Sequence, residues 1–181
     1  MRDDAGTSHE QRADLLDYSR RSANPVGRLV LRVCGHRDPS LDALSDHVCT
    51  ALQLANFWQD VDRDWAKGRV YVPREVIAAA GADEADLARR RLTPEWRRAL
   101  ADVVGRTRTM FEEGRGIADA VHGRLRWELR ATWLGGMRIL DRLEAAGFDI
   151  FERRPTLGRR DALPMAWQML TWRAAARRSR R

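Results

Sequence analysis

Apolar side chains recur every three or four positions along most of this chain, and no stretch alternates apolar and polar long enough to suggest a strand. The pattern predicts an all-α protein. ADLLDYSRRS (13–22) fits one short helix, interrupted by Asn24-Pro25. PVGRLVLRVCG (25–35) fits a second, with Pro25 in its first turn and Gly35 at its end. HRDPS is a loop, and residues 41–66 carry one long helical pattern ending near Lys67-Gly68. RVYVP (69–73) reads as short and extended, and REVIAAAGA begins another short helix. Thr93-Pro94-Glu95 is a start signal, with Thr93 as N-cap. The pattern behind it runs to about His122, with bends expected at Gly114 and Gly116. Residues 124–146 predict a helix closed by Gly147. Arg153-Arg154-Pro155 breaks the pattern, and residues 159–177 predict the last helix.

Composition narrows the class. With 181 residues, 44% hydrophobic and 33% charged, the chain is long enough to bury a core as a single domain or part of one. Its longest apolar stretch, near Val76–Ala82, is far too short to span a membrane, and the first twelve residues lack the apolar core of a signal peptide. Cys34 and Cys49 make neither a disulfide framework nor a metal cluster. We therefore expect a cytoplasmic protein. The net charge of +7 is local: residues 152–181 hold nine Arg against Glu152 and Asp161, and the rest of the chain balances 24 basic against 24 acidic groups. The ending RRSRR suits contact with anionic lipid or a solvated tail.

The informative segment is QLANFWQDVDRDW (53–65). At about 100° per residue, with Gln53 at 0°, Asn56 falls at about 300°, Asp60 at about 340° and Asp64 at about 20°. Asp62 falls at about 180°, on the opposite side, and Trp58 at about 140°. One face thus offers two carboxylates and two amide groups. Such hard oxygen ligands suit Mg²⁺, which keeps several waters and often bridges to substrate phosphate. The bland reading is an acidic surface paired with Arg63 or Arg69. The apolar neighbours Leu52, Leu54, Ala55, Phe57 and Trp58 argue that much of this helix is buried, where carboxylates need partners. Lys67, Arg69 and Tyr71, just downstream, are suited to phosphate oxygens.

QLANFWQDVDRDWAKGRVYVP resembles the second aspartate-rich region of the squalene/phytoene synthase family, at Gln53, Asn56, Asp60, Asp64, Arg69 and Tyr71. DYSRRSANPVGRLVL (17–31) resembles a second family segment, at Tyr18, Ala23, Val26 and Gly27, with Ser19 where Cys is usual. The wording around Ala23–Leu29 is most similar to the hydroxysqualene-forming branch of bacterial hopanoid synthesis. The resemblance implies an isoprenoid-synthase-type helical bundle with a central cavity, in which Mg²⁺ bridges aspartates to an allylic diphosphate. It implies Asn56, Asp60 and Asp64 as metal ligands, with Gln53, Lys67, Arg69 and Tyr71 at the diphosphate end. It implies Tyr18 beside the carbocation, and Val26 and Gly27 shaping the prenyl tunnel. Tyr18, Asp60, Asp64, Arg69 and Tyr71 are then the catalytic set. The implied substrate is presqualene diphosphate, ionised and captured by water to give hydroxysqualene. Head-to-head prenyl transfer from farnesyl diphosphate, or phytoene synthesis, is the alternative.

The resemblance covers about residues 12–175, with 1–11 as a disordered or unrelated start and 176–181 as a basic tail. It implies that the N-terminal helices of the bundle, which bear the first aspartate-rich motif, are missing. Before Tyr18 no two aspartates lie four apart, and Asp14 and Asp17 are expected to decorate a helix surface. The chain alone is therefore expected to be inactive, or to depend on a partner supplying those helices. A nucleic-acid-binding module built on the basic tail is the reading from another class, but it leaves the Gln53–Asp64 face unexplained, and no nucleic-acid partner is expected.

Smaller candidates are weaker. His36, His47 and His122 have no zinc spacing and read as structural or surface groups. Trp127 and Trp133 read as core or tunnel wall, and GRGIADA (114–120) as helix. Met165, Trp167, Met169 and Trp172 either pack onto the bundle or, with the arginines, form a peripheral membrane contact at the inner membrane face.

Overall fold

A computed structural model describes residues 12–152 and 154–172. Ten helices fill the described residues: α1 (Arg12–Ser22), α2 (Asn24–Val33), α3 (Pro39–Gln59), α4 (Val61–Trp65), α5 (Arg74–Ala80), α6 (Glu84–Ala88), α7 (Pro94–Gly114), α8 (Ile117–Ala120), α9 (Gly123–Ala145) and α10 (Arg159–Leu170). The all-α expectation holds; among the described residues Val70 makes only an isolated bridge. No described helix is long and apolar enough to cross a membrane.

The ends of the helices follow local chemistry. Asp38 caps α3 by accepting from the Ser40 amide at 2.8 Å, with Pro39 in the first turn. Thr93 caps α7 by accepting from the Trp96 amide at 3.3 Å, as its sequence signal predicts. Gly35 and Gly147, with φ of +84° and +59°, stop the chain just beyond α2 and α9 in a conformation that other residues resist.

Helix α3 packs chiefly against α7, and α2 and α9 both pack on α3. Trp58, Trp96, Phe111, Leu100 and Leu140 are fully buried there. Polar groups in this core are matched. The Trp58 indole N–H donates to Thr107 Oγ1 at 2.8 Å, and that hydroxyl donates to the Val103 carbonyl at 2.7 Å. Thr50 donates to Asn24 Oδ1 at 3.0 Å, tying α3 to α2. Trp133 is buried and donates to the Phe111 carbonyl at 2.6 Å, whereas Trp127 is half-exposed beside Arg130.

One expectation changes, and two others gain detail. The single helix over 41–66 bends: α3 stops at Gln59, Asp60 takes φ −111° and ψ 14°, and α4 resumes at Val61. The Asp60 amide reaches both Asn56 O (3.0 Å) and Phe57 O (3.3 Å), and the Asp64 amide returns to Asp60 O at 2.8 Å. The helical ladder is interrupted between these bonds, so the chain turns at Asp60, and Gln59 and Val61 are both buried around the turn. The pattern ending near His122 divides into α7 and α8 at the Gly114–Gly116 segment. The helix predicted over 159–177 runs as α10 from Arg159 to Leu170 and breaks at Thr171; residues 173–177 and the basic tail lie outside the described residues.

Helix α9 approaches α7 closely only because position 136 has no side chain: a Cβ there would fall inside the van der Waals envelope of the Phe111 ring. Gly136→Ala is expected to destabilise the fold by roughly 1–3 kcal/mol through overpacking. Gly105→Ala, inside α7 with nothing within 4 Å of its Cβ position, is expected to stabilise it by roughly 0.5–1 kcal/mol. Urea denaturation of the two variants checks both signs.

Candidate active site

The bend at Asp60 sets the site. Asp60 and Asp64 flank one turn, whereas Asp62 leaves for the other side and pairs with Arg90 at 2.6 Å. The face arithmetic separated Asp62 from the other two acids correctly. Asp60 is held by a bidentate ion pair: Arg154 Nε to Oδ1 at 2.6 Å and Nη2 to Oδ2 at 2.8 Å. Arg63 stands further off, at 3.8 Å. These bonds from Arg154 hold the Asp60 carboxyl below its ordinary range against the opposing effect of burial.

Asp64 has the opposite environment. Its side chain is 14% exposed, and its nearest cation, Lys67, stands at 3.8 Å. Burial pushes its carboxyl up; Lys67 and Arg69 pull it down, and the negative charge of Asp60 pushes it up further. The two carboxylates therefore sense each other across the bend.

Aromatic rings sit beside this acidic end. Tyr71 stacks on Phe57 with ring centres 3.8 Å apart and planes within 8°, and Tyr18 lies 6.1 Å from the same ring. Burial raises the Tyr71 hydroxyl above its ordinary value, with Arg69 opposing. Lys67 and Arg69 are exposed. Asp60, Asp64, Lys67, Arg69, Tyr71 and Tyr18 thus gather at one end of α3.

The remaining predicted residues line a cavity of about 460 Å³ between α2, α3 and α9. Val26, Gly27, Gln53 and Asn56 are among its walls, with Leu52, Leu125 and Leu129 adding apolar surface. Gly27 lets α2 close onto α3: a Cβ there would collide with both Cys49 Sγ and Ser45 Oγ. A second hollow of about 430 Å³ lies between α3, α9 and Leu157, and Leu52 and Asn56 border both. Asn56 thus stands where two apolar spaces meet, one turn from Asp60.

Sequence reasoning missed Arg154, which was read only as part of a helix break. Its one signal was a basic pair before Pro155, and its partner lies 94 positions away. Phe57 was assigned to burial alone, yet it is the ring that joins the two tyrosines. His36 and His122, far apart in sequence, meet edge to face at 5.7 Å. Asp17 decorates α1 as expected, paired with Arg20 and Arg21 at 2.5 and 2.8 Å.

The donor set bears on a metal. Among the described residues no three His, Cys, Asp or Glu side chains converge. Two carboxylates and the Asn56 amide make an open set, which fits Mg²⁺ retaining waters and taking further oxygens from a phosphate. The mutual repulsion that raises Asp64 is what a divalent cation would relieve.

The chain resembles several known proteins. The family described as squalene/phytoene synthase matches residues 1–161. A phytoene synthase of an Oncidium hybrid cultivar is 32% identical over 165 residues, covering 85% of this chain and 40% of that protein. A hydroxysqualene synthase of Zymomonas mobilis is 35% identical over 123 residues, covering 67% and 41%. The crystal structure of squalene synthase HpnC from Alicyclobacillus acidocaldarius superposes with a TM-score of 0.77 at 44% identity, covering 80% of this chain and 55% of that one. The bundle is of the isoprenoid-synthase type. The chain spans about half the length of these relatives.

The two aspartates are expected to respond oppositely to neutralisation. Asp60→Asn breaks the pair with Arg154 and is expected to cost about 1 kcal/mol, modest because both groups are partly solvated. Asp64 carries a carboxyl whose folded-state pKa is raised, so its ionisation opposes folding increasingly as pH rises through that range. Asp64→Asn removes that opposition and is expected to raise the melting temperature at neutral pH without added metal. Thermal melts of both variants at pH 7 check the two signs.

Proposed function

The chain belongs to the squalene/phytoene synthase family, and from that premise we propose that its site ionises a prenyl diphosphate with the help of Mg²⁺. The substrate in this reading is presqualene diphosphate and the product hydroxysqualene. The observation that carries the proposal is the junction at Asn56. There an acidic and basic end suited to a metal-bridged diphosphate adjoins two apolar hollows suited to prenyl chains. The names of the Zymomonas and Alicyclobacillus relatives support the squalene side of the family. The Oncidium relative favours a second reading, head-to-head prenyl transfer of the phytoene type.

In the proposed reaction the bond between the substrate's carbon and the diphosphate oxygen breaks, and diphosphate leaves with the electron pair. Mg²⁺, held by Asp60, Asp64 and Asn56, would supply the positive charge that makes diphosphate a good leaving group. Lys67 and Arg69 take the free phosphate oxygens, and Gln53 orients them from the cavity wall. For Asp60 to serve, Arg154 gives up at least one of its two hydrogen bonds and turns its guanidinium toward the diphosphate. Tyr18 and Tyr71, with Phe57 between them, present aromatic faces that stabilise the carbocation. Val26 and Gly27 hold the prenyl chain away from water. One water then adds to the cation and loses a proton to complete the alcohol.

The cavity wall along α2 is open: Val26 and Val30 are 60% and 43% exposed. A carbocation formed there meets bulk water early. We therefore propose that turnover needs a further helical segment or partner subunit that covers this wall and brings more carboxylates to the metal.

The test joins this chain to the part of the Alicyclobacillus HpnC that it does not match. The chimera is expected to convert presqualene diphosphate to hydroxysqualene only with Mg²⁺, while the present chain alone shows no turnover. Asp60→Ala and Asp64→Ala in the chimera are expected to lower the rate about a hundredfold or more, and Asp62→Ala to leave it unchanged. Mass spectrometry separates the two readings, since the phytoene type consumes two allylic diphosphates and yields a hydrocarbon. Equal losses at all three aspartates would overturn the site assignment.

A further inference from the structure

Helix α10 is amphipathic in the inverted sense. With Arg159 at 0° and about 100° per residue, Leu163 falls at about 40°, Trp167 at about 80° and Leu170 at about 20°. These three point to solvent, at 82%, 67% and 70% exposure. The opposite face carries Asp161, at about 200°, and it is this charged residue that is buried. Asp161 accepts from Arg142 at 2.7 and 2.8 Å, from Arg138 at 3.2 Å and from the Gly158 amide at 2.7 Å. Asp161 and its arginines, with Met165 and Met169 on the same side, therefore seat α10 on the bundle, and the Leu163, Trp167 and Leu170 stripe is turned away from it.

We propose that this outward stripe is a docking surface for an anionic lipid bilayer. Four observations favour that occupant. Arg159 and Arg160 lie exposed at the first turn, on the rims of the stripe, and among the described residues no carboxylate pairs with either. No other charged residue lies on α10 beyond the buried Asp161. The sequence after Trp172 adds five more arginines and no acid, so from Arg159 onward every charge along the chain except the buried Asp161 is basic, complementary to phospholipid headgroups. Trp167 suits the interface between headgroups and acyl chains. Finally, Leu157 and Met165, at the base of α10, pack against Gly135, and Leu157 and Gly135 both line the second hollow. A bilayer seated on α10 would thus lie beside a wall of that hollow, where an apolar chain can pass. The structure divides the residues expected either to pack or to face a membrane: Trp172 is fully buried under Arg115, Met165 and Met169 pack half-buried on the bundle, and Trp167 is exposed together with Leu163 and Leu170.

The surface does not depend on the proposed reaction, and its test uses no substrate. The full chain is floated with vesicles of phosphatidylcholine carrying phosphatidylglycerol as the minority lipid, and with vesicles of phosphatidylcholine alone. It is expected to float with the anionic vesicles only. Brominated acyl chains are expected to quench the Trp fluorescence, and Trp167→Phe to abolish most of that quenching. Leu163→Ser with Trp167→Ser is expected to weaken binding at least tenfold while leaving the circular dichroism spectrum unchanged. Binding of that double variant equal to the unaltered chain would assign the contact to the basic tail and overturn the proposal. Absence of vesicle binding would also overturn it, whether the chain sediments as a monomer or as a dimer that the double variant dissociates.

Discussion

The rotational setting of α3 is the constraint on which the site depends. Trp58 lies in the core between α3 and α7, and its indole N–H has one partner, the Thr107 hydroxyl, which is itself committed to the Val103 carbonyl. A buried indole that lost this partner would forfeit a hydrogen bond with no water to replace it. Helix α3 therefore cannot roll against α7 without breaking that bond. With Trp58 fixed inward, Gln53 and Asn56 are fixed toward the cavity, and Asp60 arrives one turn later at the bend. Packing thus aims the chemistry: the residue that anchors the helix is two positions from the first carboxylate.

Electrostatics at the bend follow from the same geometry. Two carboxylates one turn apart repel, and the chain treats them differently. Asp60 is stabilised as an anion by a bidentate guanidinium, while Asp64 is partly buried with a looser ion pair to Lys67 and a weaker pull from Arg69. The arrangement keeps one strong ligand charged and leaves the other in need of a cation. It also sets a competition, because Arg154 occupies the oxygens of Asp60 that a metal would use. In the proposed reaction an incoming diphosphate would resolve that competition by offering the guanidinium a new anion.

Much of this was legible in the sequence, because the relevant information was local. Period, caps and turn glycines define α2, α7 and α9, and the face arithmetic separates Asp62 from Asp60 and Asp64. Three features were not legible, each because it depends on distant parts of the chain. The turn at Asp60 accompanies the burial of both Gln59 and Val61, and the Gln59 amide donates to the Pro155 carbonyl. A periodicity argument treats 53–65 as one straight cylinder and cannot see that. Arg154 reaches Asp60 across 94 positions. The burial of Asp161 depends on Arg138 and Arg142 from the preceding helix. Hydrophobic pattern alone would have turned Leu163, Trp167 and Leu170 inward and Asp161 outward, the reverse of what the paired charges impose.

The molecule leaves two apolar surfaces uncovered, and they differ in kind. On α2, Val26 and Val30 are exposed but also line the cavity. In the proposed reaction, covering them would close the space in which an unstable cation must survive, so that wall calls for protein, which can be shaped and can carry ligands. On α10, the exposed side chains point away from the bundle, and a wall of the second hollow lies at the helix's base. Covering them closes nothing, but it sets one hollow against whatever covers them. A fluid apolar phase suits that side, because prenyl chains of any conformation can enter or leave through it. The division follows from water: the reacting centre must exclude it by a fitted lid, whereas the hydrocarbon needs only a route on which it never meets it.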